Sequence, residues 1–128
     1  MDKIDIKELL KNTFGDKFHF HPKFYEEFAE LTKKSGVEQK IVRLFVRRLS
    51  AISQLKDIDC GLSWLEHLKM YDNMYSLHVD TNEKNYRLLF SKNSKGKYFL
   101  HMFYEKSGKK NTSYAKHVPI AIQRREDN

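Results

Sequence analysis

A chain of 128 residues that is 40% hydrophobic and 13% aromatic can build one core and is too rich in aromatic side chains to stay disordered over most of its length. No apolar run approaches the roughly 20 residues of a membrane span, and Met1-Asp-Lys-Ile-Asp-Ile6 lacks the apolar stretch of a signal peptide, so a cytoplasmic protein with no membrane partner is expected. The net charge of +7 is gathered rather than spread: residues 84–125 hold eleven Lys/Arg against one acid, Glu105, and carry about +10, the footprint of a protein that meets a polyanion.

In chain order, Ile4, Ile6, Leu9, Leu10 and Phe14 recur at helical spacing up to Gly15, which predicts a short amphipathic helix over 4–14. Lys17-Phe-His-Phe-His21 alternates strictly, as a strand with one apolar face does, and Pro22 ends it. Phe24, Phe28 and Leu31 then predict a helix broken by Ser35-Gly36. A longer helix follows from Val37 to about Leu55, with Ile41, Leu44, Phe45, Arg48/Leu49 and Ile52 on its inner stripe, and the two form a hairpin. Residues 57–72 are irregular, anchored by Leu62, Trp64, Leu65 and Leu68, and Cys60 among apolar neighbours reads as a small buried hydrophobe rather than a nucleophile. Three strands, about 74–80, 86–91 and 97–104, are separated by turn-forming residues at 81–84 and 93–96 and should form an antiparallel meander. Pro119 belongs in the first turn of a last short helix, Ile120 to Arg125. The expected fold is α+β: a helical hairpin packed on a twisted antiparallel sheet of about four strands, with a short C-terminal helix and, over 1–16, an N-terminal helical extension.

These pieces in this order resemble the RelE/ParE toxin superfamily, specifically its HigB-like, phage-derived group. The matching segments are Phe18-His-Phe-His-Pro-Lys-Phe24 before the hairpin, Met74-Tyr-Ser-Leu-His-Val79, Tyr86-Arg-Leu-Leu-Phe90 with its early arginine, Leu100-His-Met-Phe103, the basic loop Lys106-x-x-Lys109-Lys110, and Ala121-x-x-Arg124. The resemblance covers about residues 17–125 and leaves the first helix outside. His78 stands where the family usually has an arginine, Glu105 replaces one lysine of a pair, and the basic loop runs longer.

The resemblance implies a RelE-like fold over 17–128 and the toxin of a toxin–antitoxin pair, an mRNA endoribonuclease. It would cut mRNA in the ribosomal A site, in contact with ribosomal RNA, by letting a nucleotide's 2′-hydroxyl attack the adjacent phosphate, and would be neutralised by a helix-turn-helix antitoxin. Its rivals are a catalytically silent binding or corepressor relative and a ParE-like gyrase inhibitor. The cleavage needs a proton acceptor, positive charge on the crowded phosphate and a donor for the leaving oxygen.

Arg87 is the leading candidate for phosphate contact, since alternation sends Tyr86, Leu88 and Phe90 to the core and Arg87 to the other, solvent-facing side; the bland alternative is an ion pair with Glu105. Lys106 and Lys109 join it as catalytic candidates, and Lys97, Lys110, Lys116, Arg124 and Arg125 as RNA contacts, each weighed against an ordinary solvated charge. Tyr114 can stack on a base, donate to a phosphate or simply pack on the sheet. His101 is the natural general base by its pKa, against a structural histidine on a strand, and His117 stands similarly. Arg43, Arg47 and Arg48 read as a solvated helix face. His19-x-His21 has no third ligand in reach by sequence, and no CxxC, HExxH or Gly-rich loop occurs, so neither metal nor cofactor is expected.

Overall fold

The computed structural model describes residues 5–55, 61–81, 84–93, 96–106 and 108–127. Cys60 and parts of both predicted turns lie outside them. Helix α1 (Ile6–Phe14) is capped by the Asp5 carboxylate, which accepts from the Glu8 N–H, and sends Ile6, Leu10 and Phe14 into the main core. Strand β1 (Phe18–Phe20) stops at His21, and Pro22 opens α2 (Pro22–Ser35) as its first residue, where the missing N–H costs nothing. Gly36 closes α2 in the left-handed region at φ 76°, and α3 (Glu38–Gln54) completes the hairpin.

Five strands make one mixed sheet in the order β1-β5-β4-β3-β2, with β2 Leu65–His67, β3 Met74–Asp80, β4 Asn85–Asn93 and β5 Gly96–Glu105. The meander β2 to β5 is antiparallel, whereas β1 runs parallel to β5, so the expectation of a purely antiparallel sheet of about four strands is corrected. Parallel pairing is open to β1 and β5 because they are not joined by a tight turn but by the whole of the hairpin and the three strands between them. β2 falls in the segment expected to be irregular. Three residues are too few to show a period of two, and the strand exists because the β3 edge offers a partner, beginning with the His78 N–H donating to the Trp64 carbonyl.

Alternation along the strands sorts two cores. On one face Leu77, Val79, Tyr86, Leu88, Phe90 and Phe99 meet the hairpin, where Phe24, Phe28 and Phe45 cluster with Phe99 at ring separations of 5.1–6.1 Å. On the other, Met74, Leu89, Leu100 and Phe103 lie under Tyr114, Val118 and Ala121 of α4 (Lys110–Glu126). The C-terminal helix is therefore not short. It begins ten residues before Ile120 and carries Pro119 in its interior, where the ring is exposed and its lost bond is outweighed by burial of Val118 and Ala121. Arg48 takes its place beside the inner stripe rather than on the solvated face: its guanidinium lies 5.3 Å from the Trp64 ring and donates to the His78 carbonyl, while Arg43 and Arg47 are exposed.

Candidate functional site

The sheet face beneath α4 is apolar only in half its length. Towards the N-terminus of α4, β3 presents Ser76, His78 and Asp80, β4 presents Arg87, and β5 presents Glu105. Strand alternation puts these polar groups on the side opposite Leu77, Val79 and Leu88. Arg87 is buried, its Nε donating to Glu105 at 3.0 Å and its Nη1 to Asp80 at 2.6 Å. The expected solvent-facing arginine is thus replaced by an ion pair with two carboxylates, because α4 roofs the face that was read as open. Tyr114 is buried too, its hydroxyl 2.8 Å from that of Ser76 with its ring edge-on to Phe103, and burial raises its pKa.

Beside this plug a cleft of about 700 Å³ opens between β2 and the start of α4, lined by Ser63, Glu66, His67, Lys69, His78 and Lys110. On its floor Glu66 Oε1 and His78 Nε2 approach to 3.4 Å without the alignment of a hydrogen bond, and both atoms are buried with no such partner among the described residues. Buried polar atoms are rarely left unpaired outside functional positions. Burial first, and then the Arg87 guanidinium on the neighbouring strand, lower the His78 pKa, which keeps the imidazole neutral and able to accept a proton at pH 7. The other Glu66 oxygen accepts from Lys110 Nζ at 3.1 Å. A carboxylate, a neutral imidazole and two ammonium groups around one concavity can move a proton and steady an anion.

A second cluster lies at the opposite side of α4. β1 ends at Phe20, so β5 continues beyond it as a free edge, and Glu27 of α2 completes that edge by accepting the Met102 N–H at 3.1 Å. Arg124 grips the same carboxylate through two 2.8 Å bonds and donates to the Leu100 carbonyl at 2.9 Å. His101 Nδ1 lies 2.8 Å from Glu27 Oε2, and His101 Nε2 lies 2.7 Å from His117 Nδ1. The network assigns the tautomers: His101 donates to Glu27, and His117 donates to His101. Burial raises the Glu27 pKa, but the bonds from His101 and Arg124 outweigh it and bring it to about 2. Burial, then the neighbouring His101, lowers His117 to about 4.

Of the residues singled out by sequence, Lys110 borders the cleft, Tyr114 lines the cavity that adjoins it and Arg87 lies behind it, while His101, His117 and Arg124 meet in the edge cluster. The others do not converge. Lys106, Lys109 and Lys116 are exposed, Lys97 lies over the Phe18 ring at the far end of β5, and Arg125 donates to the Asp72 carbonyl. His19 stacks on Tyr98, and His21 caps α2 by accepting from the Lys23 N–H. Glu66, Lys69 and Glu27 were passed over. Glu66 and Lys69 sit in or beside a strand too short to read, and Glu27 looks like any acid on a helix surface. Comparison with protein-family models finds none that matches the chain, and comparison with curated proteins and with solved structures finds no match either.

Proposed function

We propose that this chain is an endoribonuclease that cuts mRNA on the ribosome, the RelE/HigB-like toxin of a toxin–antitoxin pair held in check by a helix-turn-helix antitoxin. The observation that carries the reading is the buried, unpaired contact of Glu66 with His78 on the floor of a cleft flanked by Lys69 and Lys110, the last of these contributed by the basic 84–125 segment whose charge suits RNA. In this reaction the 2′-hydroxyl attacks the adjacent phosphorus and the phosphorus–O5′ bond breaks. The products are a 2′,3′-cyclic phosphate and a free 5′-hydroxyl. Neutral His78, backed by the Glu66 carboxylate, takes the 2′ proton, Lys110 neutralises the crowded phosphate, and Lys69 supplies the proton to the leaving oxygen.

The test is primer extension on ribosome-bound mRNA after expression without antitoxin. His78→Ala should lose on the order of 10²–10⁴ in cleavage, compared at a temperature well below its own melting point, and Lys110→Ala on the order of 10²–10³ with a melting temperature near that of the parent. Equal cleavage by parent and His78→Ala would remove the cleft from the mechanism. A second reading, a catalytically silent relative that binds an antitoxin or serves as corepressor, draws on Arg87, whose donors are taken up by Asp80 and Glu105. It predicts no cleavage by the parent chain together with retained binding to the antitoxin.

A further inference from the structure

The cleft has a second lobe that the proton chemistry does not use. A cavity of about 520 Å³ shares Glu66, Lys69 and Lys110 with it and continues between the 68–73 loop and α4, where Leu68, Met70, Tyr71, Asn111, Tyr114 and Ala115 form the walls. This lobe is mostly apolar, and Met70, at 90% exposure, is the most exposed large hydrophobic side chain among the described residues. The loop is held in place at its far end. Asn73 takes the left-handed region at φ 55° while its side-chain amide donates to the Lys92 carbonyl, and Arg125 donates to the Asp72 carbonyl at 2.7 Å. The lobe is therefore formed before any ligand arrives, and a preformed site does not spend affinity on ordering itself.

We propose that this lobe is a nucleobase site, holding one base of the RNA strand against Met70 and Tyr71 while Lys69 and Lys110 hold the phosphate of the same nucleotide. Charge complementarity and continuity select this occupant. An apolar, aromatic-walled space opening onto two ammonium groups matches a flat ring joined to a phosphate, and every base has a face to stack. Asn111, exposed on the first turn of α4, adds an amide with one acceptor and two donors, a set that can pair with a base edge.

The inference rests on the cleft as a phosphate-binding site, and the probes separate the two. Adenosine 3′-monophosphate, ribose 5-phosphate and inorganic phosphate are titrated into the full chain by calorimetry and by amide NMR. The nucleotide should bind about 10- to 100-fold more tightly than ribose 5-phosphate, the effect of one stacked base, and shift the Met70, Tyr71 and Asn111 amides. Met70→Ser, safe for folding because the side chain is exposed, should remove most of that advantage and leave ribose 5-phosphate unchanged. Asn111→Ala should change the ranking among the four nucleoside monophosphates. Nucleotide binding no tighter than ribose 5-phosphate, or an advantage untouched by Met70→Ser, overturns the base site even where mRNA is cut. Base-dependent binding by a chain that cuts no RNA keeps the base site and overturns the ribonuclease.

Discussion

Arg87 illustrates how a single side chain changes meaning with what covers it. Its guanidinium is 8% exposed and its partner Glu105 is 11% exposed, whereas Asp80 is 49% exposed and screened by solvent. Removing the arginine therefore strands one buried carboxylate. Arg87→Ala should destabilise the fold by about 3–5 kcal/mol, the cost of breaking one side of a buried pair, measured as a lowered denaturant midpoint. The double change Arg87→Met with Glu105→Leu should recover most of that loss, since an apolar pair of similar volume leaves no charge unsatisfied. An Arg87→Ala chain as stable as its parent would mean that Glu105 is solvated and the ion pair contributes little. Any loss of activity in Arg87→Ala, and in His78→Ala with its 16% exposed side chain, is accordingly read against stability, while Lys110, 55% exposed, can be tested without that complication.

At the scale of elements, α4 decides which face of the sheet is open, and Pro119 is the residue that hid it. A proline seven residues from the helix end reads as a start signal, yet here it sits in the interior and removes one backbone hydrogen bond. Pro119→Ala should raise stability by about 1–3 kcal/mol, seen as a higher melting temperature; an unchanged or lower one would show that the ring packs more than its exposure indicates. The same helix explains where sequence reasoning succeeded and failed. The hairpin, β1 and the strands β3 to β5 were legible because Phe24, Phe28 and Phe45 and the pattern Tyr86, Leu88, Phe90 repeat at strong periods. The polar roof over Arg87 was not, because the first turns of α4, Lys110-Asn-Thr-Ser, carry no apolar stripe to announce a helix. Of Glu66, Lys69, His78 and Lys110, which line the cleft, the sequence singles out Lys110 alone as a candidate. Lys110 stands out through the basic loop, while Glu66 comes beside His78 only through the pairing of β2 with β3.

For the whole molecule, the Glu27, His101, His117 and Arg124 cluster joins three layers, with α2 on one face, β5 at the sheet edge and α4 on the other face. Its titration should therefore appear in global stability. His117 has a folded pKa of about 4, below its unfolded value of about 6.5, so between these the unfolded chain binds a proton that the folded chain does not. Stability is then full above pH 6.5 and falls as pH drops towards 4. His78 and His21, lowered first by burial, act in the same direction. Glu27, at about 2 when folded against about 4.3 unfolded, opens a second fall from there down to pH 2. His117 is only half-buried, so its limb should run well below the one-proton ceiling of about 1.4 kcal/mol per pH unit. Thermal melts from pH 8 to pH 3 should be flat at the start, bend near pH 6.5 and steepen again below about 4.3. His117→Gln should weaken the first limb and leave the second. A parent melting temperature constant from pH 7 to pH 4.5 would show that the histidine network is solvated and does not hold the layers together.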